Sequence, residues 1–188
     1  MITDKKYIGN NIILRQIELS DCSDSYVNWL NDPQVNQYLE VRWSIQNLES
    51  ITDFVQAQRS NDNSVLFAII EKLDGRHIGN IKIGPVNWHY LYADVSYFIG
   101  DKSCWNRGIA TEAINLTCKF GFEELGLRKI EAGAYAEAIG SWKALERNGF
   151  VREGTFRENI ILHEKIMDVY RYGILKREFI NLSMEGTH

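Results

Sequence analysis

The sequence predicts a fold of the α/β (α+β) class, a mixed sheet with helices packed against it. Three observations lead there. Short apolar or alternating runs have strand character, other stretches repeat their apolar residues at helical spacing, and turn residues separate the two kinds. The resulting order is β-α-α-β-β-β-α-β-α-β-β. With 188 residues, 45% of them apolar, the chain can bury a substantial core. No internal repeat or linker interrupts it, so one domain over residues 1–188 is expected, with its core at about 12–179.

Ile12-Ile13-Leu14-Arg15 is a short apolar run suited to a first strand. Ser20-Asp21 resembles an N-cap ahead of a helix carrying Tyr26, Val27 and Leu30, which Asp32-Pro33 breaks. Ser44 is a second N-cap candidate, with Leu48, Ile51 and Val55 at helical spacing behind it. Asn61-Asp62-Asn63 closes that helix in turn residues. Val65 to Glu71 reads as a strand, Leu73-Asp74-Gly75-Arg76 as a hairpin turn, and Gly79, Ile81 and Ile83 as one face of the next strand. Ala93, Val95, Tyr97 and Ile99 alternate with Asp94, Ser96 and Phe98, so Asp94 and Ser96 share a face. From Arg107 the period changes, and Ile109, Ala113, Leu116 and Phe120 form one helical stripe. Gly126 breaks it, Lys129 to Ala136 is a strand, and Ile139 to Arg147 is a short helix stopped near Asn148-Gly149. Val151 to Glu158 and Ile166 to Ile174 close the sheet.

Composition narrows the function classes. There are 21 basic and 25 acidic side chains, a net charge of −4, whereas proteins that live on nucleic-acid phosphates are more often basic. No nucleic-acid partner is expected. MITDKKYIGNN has no apolar signal region, and no apolar run approaches the roughly 20 residues that span a bilayer. Cys22, Cys104 and Cys118 share no C-x-x-C spacing and read as reduced, mostly buried thiols. The four histidines stand apart from one another and from the cysteines, so no metal spacing is present. A cytoplasmic protein with no metal and no membrane association is expected.

One stretch, Cys104-Trp-Asn-Arg-Gly-Ile-Ala-Thr-Glu-Ala113, sits where a helix begins after a central strand. A helix start exposes unpaired N–H groups and the positive end of its dipole. Gly108 and Ala110 lack bulk, and Arg107 adds a cation, so a phosphate or pyrophosphate fits. Small residues that merely begin a packed helix are the equal alternative. The stretch is neither the P-loop nor the G-x-G-x-x-G fingerprint.

Its context carries more. Trp105 to Ala113 after a central strand resembles motif A of the GNAT N-acetyltransferases. Asn31-Asp32-Pro33, Ala93-Asp94-Val95-Ser96-Tyr97, Phe122 to Leu127, Asn148-Gly149-Phe150, Glu153-Gly154 and Asp168 resemble the branch related to ribosomal-protein N-acetyltransferases. The resemblance runs from about Ile12 to Phe179. It implies a GNAT-type mixed, mostly antiparallel sheet of about six to seven strands, and acetyl-CoA as cosubstrate. Asn106, Arg107, Gly108, Ile109, Ala110 and Thr111 would cradle the pyrophosphate. Trp105 stands where the family motif has Arg or Gln. The strand at Tyr97, Phe98 and Ile99 would splay from Lys129–Ala136 and offer its free backbone to pantetheine. Many relatives dimerise, so the resemblance includes a homodimer among the assemblies.

Acetyl transfer to an amine needs a neutral nitrogen, a polarised carbonyl and a proton for the departing sulfur. Direct attack in a ternary complex requires no protein nucleophile. Asp94 is the first candidate for base or amine-orienting group, with a strand salt bridge as its alternative. Ser96 shares that face and either contributes or packs. The usual N-x-x-[AS] is Ala138-Ile139-Gly140-Ser141, and the position of a Tyr acid in many relatives is Leu145. Neither Ala138 nor Leu145 can donate a proton. Ser141 could bond the thiolate or pantetheine, or cap a helix. Tyr135 is a substitute donor or core packing. Glu112 reads as a cap or salt bridge rather than a catalytic group.

Tyr38, Glu40, Arg42 and Trp43 form an acceptor-pocket candidate, since this region covers the substrate site in the family. Trp88 and His89, with Tyr92, would build the other wall or serve as packed loop aromatics. His163 and Glu164 fall in a hairpin that lines the pocket or is simply solvated. The expected acceptor is a protein N-terminus, a small amine or an amino sugar. An acyl-CoA-binding sensor without catalysis is the alternative, supported by Ala138 and Leu145, and a phosphate-binding module is a third class.

Overall fold

The computed structural model describes residues 3, 5–162 and 164–185, with side chains to residue 180. Eight strands form one sheet: β1 (Tyr7–Ile8), β2 (Ile12–Gln16), β3 (Val65–Glu71), β4 (His77–Asn87), β5 (Tyr92–Ile99), β6 (Lys129–Tyr135), β7 (Val151–Leu162) and β8 (Lys165–Leu175). Their spatial order is β1-β2-β3-β4-β5-β6-β8-β7. Every neighbouring pair is antiparallel except β5 with β6. The helices are α1 (Asp24–Asn31), α2 (Pro33–Asn36), α3 (Leu48–Arg59), α4 (Ile109–Glu123), α5 (Ile139–Arg147) and α6 (Lys176–Glu185).

Two apolar layers explain the strand sequences. Val65, Phe67 and Ile69 face α4, while Leu66, Ala68 and Ile70 face α1 and α3. With helices on both sides, β3 is buried along its whole length and reads as an unbroken apolar run instead of alternating. On β5, Ala93 and Val95 join the α4 layer. Asp94 and Ser96 therefore point to the opposite face, where Phe98 packs with Tyr26 of α1.

Some boundaries differ from the sequence expectation. Helix α1 is capped by Ser23, whose hydroxyl accepts from the Tyr26 amide, and not by Ser20-Asp21. Asp21 is committed elsewhere, accepting two bonds from Arg15 and one from the Glu18 amide. Helix α3 is capped by Asn47 in a reciprocal box with Ser50, which displaces Ser44 from that role. Strand β1 and helix α6 lie beyond the expected elements, and β7 runs on to Leu162. Among the described residues no helix is long and apolar enough to cross a membrane.

Candidate active site

The sheet opens between the parallel strands β5 and β6. Their register holds for Tyr92↔Lys129, Ala93↔Ile130 and Asp94↔Glu131, and then stops. Beyond Asp94, β5 continues on β4 and β6 continues on β8. A wedge-shaped gap therefore lies between residues 95–99 and 132–135, with strand-edge backbone facing it.

The C-terminal end of β5 leads to the start of α4. Asn106 has φ 59° and Gly108 has φ 77°, two left-handed residues that bend the chain sharply before Ile109. A Cβ on Gly108 would meet nothing within 4 Å, so the space above it is open. The first bond of α4 runs from the Glu112 amide to the Gly108 carbonyl. The amides of Ile109, Ala110 and Thr111 precede it and find no protein acceptor among the described residues. Trp105 supports the loop by donating its indole N–H to the Ile99 carbonyl at 2.9 Å. That bond uses one lone pair of a carbonyl expected to serve pantetheine.

Arg107 does not stand free over this cradle. Its Nη2 lies 2.7 Å from the buried carboxylate of Glu71, which also accepts from Arg76 at 2.6 Å. The open amides, and not a spare cation, are what the helix start offers an anion. Glu112, next along α4, accepts from the Asn11 amide, the Asn11 side chain and the Ile12 amide, and so fastens the β1–β2 turn.

Tyr97 and Ser141 meet on the α4–α5 side of the gap. The Tyr97 hydroxyl donates to the Ser141 carbonyl at 2.9 Å and lies 3.0 Å from its hydroxyl. Burial pushes the Tyr97 phenol up to about 12, so it is a protonated donor at neutral pH. Ser141 is not the cap of α5, a position held by Ala138. Ala138 and Leu145 are both buried, and Leu145 lies wholly within the core.

The opposite face carries the other candidates. Asp94 sits at the vertex of the gap, 40% exposed, with both oxygens 3.1 Å from Arg171 Nη2. Arg171 reaches there from β8 across Gly133, where a Cβ would approach its Nη1 at 3.2 Å. Arg171 Nη2 also lies 3.2 Å from Glu131, and Lys129 links Glu131 to Glu153. Asp94 is thus a salt-bridge partner in this arrangement. Ser96 is exposed beside it.

Tyr135 ends β6 on that face and receives the segment between α2 and α3. Its hydroxyl donates to Glu40 and accepts from Arg42 at 3.2 Å. Burial and the adjacent Glu40 carboxylate raise its pKa above the ordinary phenol value. The Glu40 carboxyl is held below its usual range, chiefly by the bond from Tyr135. Tyr38 packs edge-on against Tyr135 with ring centroids 6.0 Å apart, and Arg42 lies over the Trp43 ring at 4.4 Å. Tyr38, Arg42, Trp43 and Tyr135 are therefore one cluster. Tyr135 is four residues along β6 from the Asp94 partner Glu131, roughly 13 Å at strand spacing.

Trp88 and His89 are not brought to this cluster. They occupy the β4–β5 turn, next to the start of β5, where Arg128 donates to the Tyr90 carbonyl. The gap opens toward the other end of β5, roughly 23 Å from Tyr92 to Ile99 at strand spacing. Antiparallel pairing with β4 dictates that separation, so these two residues form no second wall. Glu164 sits in the β7–β8 turn with φ 64° and is exposed, and His163 lies outside the described residues. Among the described residues no group of His, Cys, Asp and Glu gathers at metal-binding distances. Cys104 and Cys118 are buried free thiols.

A sheet opened between two parallel strands, with a partner-free helix start at the end of one of them, defines the class. Residues 11–151 match the acetyltransferase (GNAT) domain, and the chain belongs to this family of N-acetyltransferases. The N-acetyltransferase p20 of Bacillus licheniformis is 31% identical over 177 residues, 89% of this chain and 94% of that protein. The protein that bears the name "Putative ribosomal N-acetyltransferase YdaF", from Bacillus subtilis, is 31% identical over 109 residues, 56% of this chain and 57% of its own. In fold, the chain resembles the spermidine N-acetyltransferase of Vibrio cholerae solved with CoA and spermine. That likeness has a TM-score of 0.81 at 21% identity, and covers 91% of this chain and 99% of the other.

Proposed function

We propose that this chain uses acetyl-CoA to acetylate a primary amine by direct transfer. The single observation that carries the reading is a coincidence at one end of β5. The gap beyond Asp94 and Glu131 and the unpartnered amides of Ile109, Ala110 and Thr111 lie along one path. The CoA moiety of the Vibrio cholerae structure is the type of ligand such a path suits.

In this reading the helix-start amides hold the pyrophosphate and the free edge of β5 holds pantetheine. The Tyr97–Ser141 pair lies on the α4–α5 face, and Asp94, Ser96, Tyr135 and Arg42 lie on the other. Donor and acceptor thus meet through the gap from opposite faces of the sheet, an arrangement that orients the amine without a covalent enzyme intermediate. The amine nitrogen forms the new C–N bond, the C–S bond breaks, and the sulfur leaves with the electron pair. Tyr97, protonated and buried, or Tyr135 supplies the hydroxyl nearest to that event. Asp94 orients the incoming ammonium, which loses one proton to solvent on that face before the neutral amine attacks. The second proton leaving the nitrogen balances the one that the hydroxyl delivers to the departing sulfur.

The test is incubation with acetyl-CoA and an amine panel, reading CoA thiol release and acetylated product by mass spectrometry. Amine-dependent release is expected. Tight CoA binding with no release across the panel would instead establish the acyl-CoA sensor, which the buried Ala138 and Leu145 favour. A homodimer and a cytoplasmic location belong to the same reading.

A further inference from the structure

We infer that Lys102 and Asp32 are positioning residues for the transfer, their ion pair closing a strap across the open end of the gap. The inference rests on the acetyltransferase reading and assigns that site a brace. The strap is the chain from α1 through α2 to the 3₁₀ turn Glu40–Trp43. It stands on the acceptor face, where Tyr26 and Leu30 of α1 share a core with Leu66, Ala68 and Ile70 of β3.

The strap is fastened to both of the strands that part. On the β5 side, the loop after Ile99 grips the corner between α1 and α2. Lys102 Nζ lies 2.6 Å from Asp32 Oδ2 and donates to the Gln34 side chain at 3.0 Å. Gly100, in the same loop, lies against Trp29 of α1, and a Cβ there would collide with the ring. On the β6 side, Tyr38 donates to the Glu137 carbonyl at 3.3 Å, and Arg42 donates to the Tyr135 hydroxyl at 3.2 Å. Strands β5 and β6 are parallel, so both attachments fall at the open end of the gap.

Asn31-Asp32-Pro33 builds the corner residue by residue. The Asn31 side chain accepts from the Gln46 amide and donates to the Gln46 carbonyl, each at 2.8 Å, which closes residues 32–45 into a loop. Asp32 Oδ1 caps α2 by accepting from the Gln34 amide at 2.9 Å, leaving Oδ2 for Lys102. Pro33 opens α2, where an N–H would have no helical partner. The Lys102 bond holds the Asp32 carboxyl below its usual range, so the pair is charged at neutral pH. With side chains 46% and 28% exposed, such a pair adds little to stability. What it supplies is position. It ties the end of β5, whose free edge holds pantetheine in the proposed reading, to the segment anchored on β6. A small displacement of a reacting group lowers a rate by far more than an exposed ion pair changes stability.

The experiment measures turnover of the amine found in the panel, and calorimetric affinity for CoA and for ADP, which has a pyrophosphate but no pantetheine arm. In Lys102→Ala, kcat should fall about tenfold while Tm barely moves. Lys102→Arg should restore it. Asp32→Asn keeps a capping oxygen and should lose most of the same activity. The double variant should be no slower than Lys102→Ala, because either change removes the one contact. CoA affinity should weaken about threefold in Lys102→Ala, while ADP affinity holds. A wild-type kcat in Lys102→Ala, a loss accompanied by a large fall in Tm, or losses that multiply in the double variant overturns the inference and leaves the acetyltransferase reading intact. If no amine is turned over, that reading fails and binding decides the inference. CoA affinity in Lys102→Ala equal to that of the wild type, or CoA binding absent from both, then overturns it.

Discussion

The Tyr97 hydroxyl and the Ser141 hydroxyl stand 3.0 Å apart, joining a strand to a helix 44 residues further along the chain. The phenol cannot ionise in the physiological range, because burial holds its pKa near 12. Tyr97→Phe removes the donor and leaves Ser141 without this partner. Stability should fall by about 1 kcal/mol, read as a lower denaturation midpoint. If Tyr97 also protonates the departing sulfur, kcat falls about a hundredfold while CoA affinity holds, since general acid catalysis contributes on that order. An unchanged kcat would leave the pair purely structural.

Gly108→Trp tests the cradle. Any residue with a Cβ pays about 1–2 kcal/mol for φ 77°, and the indole fills the open space above the amides. CoA binding by calorimetry should weaken by at least about tenfold, or 1.4 kcal/mol, in a variant whose circular dichroism is native. Unchanged affinity in that variant rules the cradle out.

Asp94→Asn separates orientation from anchoring. The change leaves Arg171 with Glu131 as its remaining carboxylate. On the proposed reading kcat/KM for the amine drops about tenfold or more while CoA affinity is retained, as expected for lost positioning of the amine. An equal fall in Arg171→Gln would assign the pair to architecture alone, and intact turnover in Asp94→Asn would remove Asp94 from the reaction.

Asp21 provides a pH signature for stability. Burial acts to raise its pKa, but bonds from Arg15 and the Glu18 amide outweigh it, and the folded value is lowered. A depressed carboxylate contributes stability that is complete above its unfolded value and disappears as pH falls through the folded one. Asp21→Asn should therefore lower Tm at pH 7. The gap should begin to close as the pH drops below about 4, the ordinary aspartate value. A gap that stayed constant down to acid denaturation would exclude this linkage.

Glu112→Ala should detach the β1–β2 turn. Three donors lose their acceptor, at a cost of about 1–2 kcal/mol, and Tm falls accordingly. Hydrogen exchange at Asn11 and Ile12 should accelerate more than exchange in β4 or β5.

Most of the sheet could be read from the chain because its strands are local signals. The unbroken run Val65 to Glu71 and the alternation from Ala93 to Ile99 each state their burial directly. The start of α4 was equally legible, since Gly108 is needed where φ is positive. Long-range pairings were not. Nothing near Asp94 announces Arg171, which arrives from 77 residues away through the space Gly133 leaves. Glu71 left one trace, a single acid closing an apolar strand, but its partners Arg76 and Arg107 could not be inferred from spacing. Ser20, Asp21 and Ser44 have the chemistry of helix caps, yet the true caps are Ser23 and Asn47 a few residues on. Propensity identifies cap residue types, and tertiary bonds such as Arg15 to Asp21 decide which one serves. Trp88 and His89 were misplaced because aromatic composition carries no information about which end of a strand a turn occupies.

The ion pair between Arg107 and Glu71 has a consequence for how the donor site would respond to solution conditions. With its one adjacent cation already neutralised, the helix start presents aligned dipoles to a pyrophosphate and little net charge. Fields of dipoles decay faster with distance than those of charges, so long-range steering is weak and ordered contact does the holding. Raising ionic strength should leave CoA affinity nearly flat. Releasing Arg107 through Glu71→Gln should make the affinity tighter in dilute buffer and strongly sensitive to salt.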